Sequence, residues 1–252
     1  MKVSIYDTTE KMAEAAAATA AEELSRCIAE KGRATFMAAT GTSQLRFLDA
    51  LTRQSHVDWT KTEMYHLDEY IGLPESHPAS FRRYLRERLL NVVHPGIAHL
   101  IDGSSPDPWK ECARLEQLVS ADGIDVAFVG IGENAHLAFN DPPADFANDA
   151  VFTVVALSET CRAQQVHEGW FQAIEDVPDK AITVTIQGIL KARSIICVVP
   201  EVRKADAVKC AFVGPVTPAC PASALREHPR ASVFLDADAA SLLDKAMLPG
   251  KP

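Results

Sequence analysis

Residues 124–142 read IDVAFVGIGENAHLAFNDP. Ile124 to Val129 is an apolar run of strand length, closed by Gly130 and Gly132. A short, continuously apolar run between turn signals fits a strand buried on both faces, which is the strand type of a parallel sheet covered by helices. The chain then turns polar. His136 lies among apolar neighbours, with Glu133, Asn134, Asn140 and Asp141 close by in sequence and Pro142 and Pro143 behind them. In an open parallel sheet ligands bind beyond the carboxyl ends of the strands. A histidine with polar company at such an end is therefore a site candidate, although a satisfied core histidine is the commoner case.

The flanking sequence repeats the same alternation. Thr9 to Lys31 reads as an Ala/Glu-rich helix closed by Gly32. Arg33–Ala39, Glu63–Leu67, Ala98–Ile101, Val151–Leu157, Ala181–Ile186, Ser194–Val199 and Ser232–Leu235 read as strands. Gln44–Arg53, Ser80–Leu90 (with a dense basic face) and Pro108–Ser120 read as helices between them. No linker or repeat divides the chain. The expectation is an α/β fold in which residues 1–252 make one domain: a mostly parallel open sheet, Rossmann-like, with helices on both faces.

Composition narrows the function. The 252 residues are 47% hydrophobic, which supplies a sizeable core, and carry a formal net charge of -9. That balance argues against a broad contact with nucleic acid, but a few local donors can still hold a small anion. No run of about 18 apolar residues suggests a membrane span, and acidic residues interrupt the Ala-rich N-terminus, so a cytoplasmic protein is expected. The six cysteines, Cys27, Cys112, Cys161, Cys197, Cys210 and Cys220, form no C-x-x-C pair. They are expected to be reduced structural thiols.

Two further stretches end strands with polar groups. In "AATGTSQ" (38–44) a strand runs through Thr40, Gly41, Thr42 and Ser43 into a helix. Free N–H groups at such a junction can cradle a phosphate, and an ordinary helix cap explains the residues equally well. In "MYHLDEYIGLP" (64–74) Asp68 and Glu69 are adjacent acids just past a strand. Strand geometry sends them to opposite faces, so one can enter a site while the other caps a helix or pairs with a cation. No set of His, Cys, Asp or Glu at metal-ligand spacing accompanies His136, and no metal is expected.

Taken in order, these stretches resemble the glucosamine-6-phosphate deaminase/isomerase family, which is related to the 6-phosphogluconolactonases. "TGTS" is similar to that family's T-G-G-T turn, "LDEYIGLPESHPASF" to D-E-Y-x-G-L-P-x-x-H-x-x-S-[YF], and "GIGENAHLAFNDP" to G-[IV]-G-x-D-G-H-[IL]-A-F-N-E-P. "VRKADAVKCAFVGPVTPACPASALREHP" resembles a later segment. The resemblance implies conversion of an amino-sugar phosphate to fructose 6-phosphate and ammonia without metal or organic cofactor. It implies that Asp68 moves a proton between C2 and C1, that His136 opens the sugar ring with Asp141 and Asn134 behind it, and that Lys204, Glu69 and the turn Thr40–Ser43 contact the substrate. A homo-oligomer stays open.

The chain also departs from the pattern. Asn134 stands for an aspartate, Ala135 for a glycine, Gln44 for a proline and Asp141 for a glutamate. The stretch "SETCRAQQVHEGWF" (158–171) lacks the second, phosphate-binding arginine, with Gln165, His167 and Glu168 near its place. Residues 145–157 hold no Lys or Arg, which argues against the allosteric control found in some members. An aspartate at position 134 is expected to speed ring opening. The alternatives are a lactone hydrolase in which His136 activates water, and a non-catalytic sugar-phosphate binder.

Overall fold

The computed structural model describes residues 1–244, without the side chains of residues 120–122. Residues 245–252 of the expected domain lie outside the described part. Strand β1 (Lys2–Tyr6) leads into α1 (Thr9–Lys31), β2 (Ala34–Ala38), α2 (Leu45–Thr52), β3 (Thr62–His66) and β4 (Asp68–Tyr70). Helix α3 (Phe81–Leu85) continues through a π-turn over Arg86–Leu90 into α4 (Asn91–Val93). Then come β5 (Ile97–His99), α5 (Pro108–Asp122), β6 (Val126–Val129), β7 (Phe152–Ala156) and α6 (Glu159–His167). The last elements are β8 (Lys180–Val184), α7 (Ile186–Leu190), β9 (Ser194–Val199), α8 (Ala205–Val213) and β10 (Ala231–Asp236).

Seven strands form one parallel sheet in the order β1-β10-β9-β6-β2-β3-β5. The run that opened the sequence is its middle strand, β6. Its residues alternate between two cores, as a doubly covered strand requires. Val126 and Phe128 pack with α1, α2 and α3 on one face. Ala127 and Val129 pack with α5, α7 and α8 on the other. Helix α1 turns its alanines Ala16, Ala17, Ala20 and Ala21 inward. The Thr8 side chain caps its start, and Gly32, at φ 82, closes it in the left-handed conformation that costs glycine least.

Three features differ from the sequence expectation. The first is β1, a partly exposed edge strand without the long apolar run that marks β6 and β9. The second is a separate antiparallel sheet in the order β4-β8-β7, where Val151–Leu157 and Ala181–Ile186 had been expected to extend the parallel one. The chain leaves the main sheet at Leu67, and the three residues of β4 pair with β8. A third core of Tyr70, Phe81, Phe139 and Phe171 fills the space beside this small sheet.

The third difference concerns sulfur. Cys27, Cys112, Cys161 and Cys197 are free and buried. The Cys210 and Cys220 sulfurs instead meet each other, where six separate thiols had been expected. The turn closed by Cys220 N donating to Thr217 O folds back on α8 and brings their Cα atoms to 6.4 Å. No helix among the described residues is long and apolar enough to cross a membrane.

Candidate active site

A cleft opens where β2, β3, β6 and β9 end, at neighbouring positions in the sheet. Thr40, Gly41, Thr42 and Ser43 line it beyond β2. Gly41 sits at φ 98, a conformation that strains any residue with a Cβ, and its carbonyl accepts from Gln44 N and from the Tyr84 hydroxyl. The turn then opens a 3-10 segment and α2, leaving backbone N–H groups at a helix start. Lys204 enters the cleft from the turn after β9. It is only 3% exposed, and among the described residues no carboxylate lies within ion-pair distance of it. Burial pulls its ammonium below the usual lysine value, while the Glu168 charge pushes the other way.

Asp68 and Glu69 part as strand geometry requires. Asp68 lines the cleft, and its Oδ1 is buried with no hydrogen-bond partner among the described residues. Burial first, and the neighbouring Glu69 charge second, push its carboxyl up to about 8. Glu69 does not reach the cleft, which corrects its place among the substrate contacts. It is fully buried and accepts from Ser80 Oγ at 3.0 Å, Phe81 N at 3.2 Å and Arg82 N at 2.8 Å, and it pairs with Arg82 Nε at 3.3 Å. Its work is to cap and charge-balance the start of α3. Arg82 is thereby taken off the basic face expected for that helix.

His136 lines the cleft beyond β6. Its ring lies against Gly132, where a Cβ would overlap the imidazole. Ala135 takes the left-handed conformation at φ 65, so the position needs a positive φ even though glycine is absent. Asn134 and Asp141 stand behind the ring. His136 Nδ1 is 2.7 Å from Asn134 Oδ1 and 3.3 Å from Asp141 Oδ1. The Asn134 amide also donates to Asp141 Oδ1 at 2.9 Å, and Ser158 Oγ donates to Asp141 Oδ2 at 2.6 Å. These donors and His136 outweigh burial and hold the Asp141 carboxyl down, at about 2. Because Nδ1 faces only acceptors it carries the proton, and Nε2 is left to exchange a proton with a ligand.

Thr40, Gly41, Thr42, Ser43, Asp68, His136 and Lys204 thus come together on one wall system, with Asn134 and Asp141 in support. Sequence reasoning missed Phe81 and Phe139 as apolar walls and Gln164 and Glu168 as polar ones. Glu168 was visible as a mismatch in 158–171, but not as a wall residue. Among the described residues no group of three or more His, Cys, Asp or Glu could hold a metal ion.

Residues 7–234 match the family model described as glucosamine-6-phosphate isomerases/6-phosphogluconolactonase. The chain belongs to this family. A glucosamine-6-phosphate deaminase from Exiguobacterium sibiricum is 40% identical over 214 residues, 84% of this chain and 83% of that protein. One from Bacillus cytotoxicus is 33% identical over 98% of this chain and 91% of its own length. Among solved structures, a monomeric glucosamine-6-phosphate deaminase superposes with a TM-score of 0.89 at 32% identity, covering 96% of this chain and all of that one. A 6-phosphogluconolactonase from Trypanosoma brucei reaches 0.80 at 17% identity over 96% of this chain and 98% of its own, and shows the shared fold alone. Within the glucosamine-6-phosphate isomerase/6-phosphogluconolactonase family, this member is an enzyme whose histidine is backed by an amide and a carboxylate rather than by two carboxylates.

Proposed function

We propose that the chain converts glucosamine 6-phosphate and water to fructose 6-phosphate and ammonia. The observation that carries this reading is Asp68, a cleft carboxylate with one buried oxygen that no protein donor satisfies. A buried acid beside a ligand space is suited to taking a proton from carbon and returning it nearby, provided water is kept out.

The phosphate lies on the Thr40–Ser43 turn with Lys204, and the sugar extends toward Asp68 and His136. His136 Nε2 takes the proton of the C1 hydroxyl and delivers one to the ring oxygen, opening the pyranose. Asn134 and Asp141 hold the ring in place. Asp68 then removes the C2 proton, giving an enolamine, and returns a proton to C1. Water adds to the resulting C2 imine, and ammonia leaves. The sugar phosphate is a charged metabolite that does not cross membranes unaided, which supports a cytoplasmic setting.

The test is an ammonia-release assay on glucosamine 6-phosphate beside hydrolysis of 6-phosphogluconolactone. Ammonia and fructose 6-phosphate in equal amounts support the reading. Lactone hydrolysis without ammonia release would replace it.

A further inference from the structure

The phosphate end of the cleft has an unusual charge arrangement. Glu168 caps the C-terminus of α6 and lines the cleft wall. Its carboxylate and the negative end of the helix both oppose an anion there. Lys204 alone is a single positive charge, whereas a sugar phosphate carries close to two negative ones at neutral pH.

A second cation, Arg203, does not line the cleft but lies against two residues that do, Thr42 and Glu168. Arg203 Nη2 donates to the hydroxyl of Thr42, a residue of the phosphate turn, at 3.2 Å. Its Nη1 lies 3.3 Å from Glu168 Oε1 and 3.1 Å from Glu133 Oε1, and its Nε pairs with Glu201. One guanidinium thus faces three carboxylates, two of them a third or more exposed and able to trade this contact for water. The backbone fixes its direction. Glu201 is held at φ 79 while its N–H donates to the Asp236 carboxylate, and from this strained turn Lys204 enters the cleft while Arg203 lies against Thr42. Glu168 is itself fixed by Gln164 Nε2 at 2.8 Å and Trp170 Nε1 at 3.3 Å.

We propose that Arg203 is the second phosphate-binding cation, reaching the ligand from the β9–α8 turn, and that Glu168 is the positioning residue that holds it beside Thr42. This rests on the reading that Lys204 and the Thr40–Ser43 turn take the substrate phosphate. The second arginine missing from the 158–171 stretch is then replaced by one from the β9–α8 turn, with the acid that caps α6 as its holder. When phosphate arrives, the planar fork exchanges its more exposed carboxylate partners for phosphate oxygens and keeps Glu168 as an anchor.

The test uses inorganic phosphate as a competitive inhibitor, together with KM and kcat for glucosamine 6-phosphate. Charge-assisted bonds of this kind are worth about tenfold or more in affinity. Arg203→Ala is expected to raise both the phosphate inhibition constant and KM about tenfold or more, with kcat within about threefold. Arg203→Gln keeps polar contacts to the three carboxylates and repeats the measurement should the alanine variant fold poorly. Glu168→Gln is expected to raise KM several-fold with kcat unmoved. A fall in KM would mean that Glu168 acts only as a repelling charge, and its positioning role would be lost. Lys204→Ala separates the two levels. If it raises the inhibition constant while both Arg203 variants stay within twofold of the parent, this inference fails and the phosphate site stands. If Lys204→Ala changes nothing, the phosphate site itself is misplaced.

Discussion

Asp68 and Asn134 carry most of the chemical argument. With its carboxyl pushed up to about 8 by burial and by Glu69, Asp68 stays protonated in the folded chain at pH values where the unfolded chain has released the proton. The stability that depends on this group is full in acid and falls as pH rises toward about 8. Asp68→Asn cannot ionise. It is expected to abolish turnover, to leave substrate affinity within a few-fold, and to melt above the parent by a margin that widens from pH 5 to pH 9. Melting curves across that range check the sign, and a parent that gains stability relative to the variant with rising pH would contradict it. In the parent, kcat/KM should climb through the same pH region as the base form appears. At position 134 the geometry reverses the sequence expectation. The amide accepts from His136 and donates to Asp141. Asn134→Asp would remove the amide donor that joins the position to Asp141 and leave two carboxylates sharing the one His136 Nδ1 proton. Ammonia release by this variant is expected to fall below the parent between pH 6 and 8. An increase there would show that charge behind His136, not donor geometry, limits ring opening.

Among the elements, the three residues of β4 and the start of α3 behave as one unit. Glu69 joins them, and its loss leaves Arg82, whose side chain is only 8% exposed, with Asp102 as its remaining carboxylate partner. Breaking a buried pair from one side costs about 3–5 kcal/mol. Glu69→Gln is expected near the low end of that range in urea unfolding, with a raised KM because α3 carries Tyr84 against Gly41. A change under about 0.5 kcal/mol, the usual size for a surface substitution, would show that the cap is dispensable. The 130–136 loop is a milder case. Ala135 pays about 1–2 kcal/mol for its left-handed backbone, so Ala135→Gly should leave activity intact and stability unchanged or slightly higher. Some of this was legible in the sequence. Thr9–Lys31 and Ser194–Val199 have the bounds expected, because a C-terminal glycine and a continuous apolar run are local signals. The opposite fates of Asp68 and Glu69 followed from strand alternation. Which acid faced the cleft was carried by family resemblance, and the destination of Glu69 depended on Ser80 to Arg82, beyond the reach of local pattern.

At the scale of the molecule, the apolar runs of β6 and β9 announced a doubly covered parallel sheet, and the cleft lies at its carboxyl ends as that architecture requires. The small antiparallel sheet was not legible, since β4 finds β8 more than a hundred residues later and period-2 patterns do not encode direction. That second sheet brings Asp68 to the end of the main one, and α6 runs from its cap Ser158, against Asp141, to Glu168 on the cleft wall. The most direct test of the central claim follows one proton across this cleft. Glucosamine 6-phosphate deuterated at C2 is turned over, and the fructose 6-phosphate formed is read by NMR. The account predicts a primary isotope effect, with part of the deuterium delivered to C1 by Asp68 and neither product nor transfer in Asp68→Asn. Normal product formation by Asp68→Asn, with deuterium still passing to C1, would contradict it.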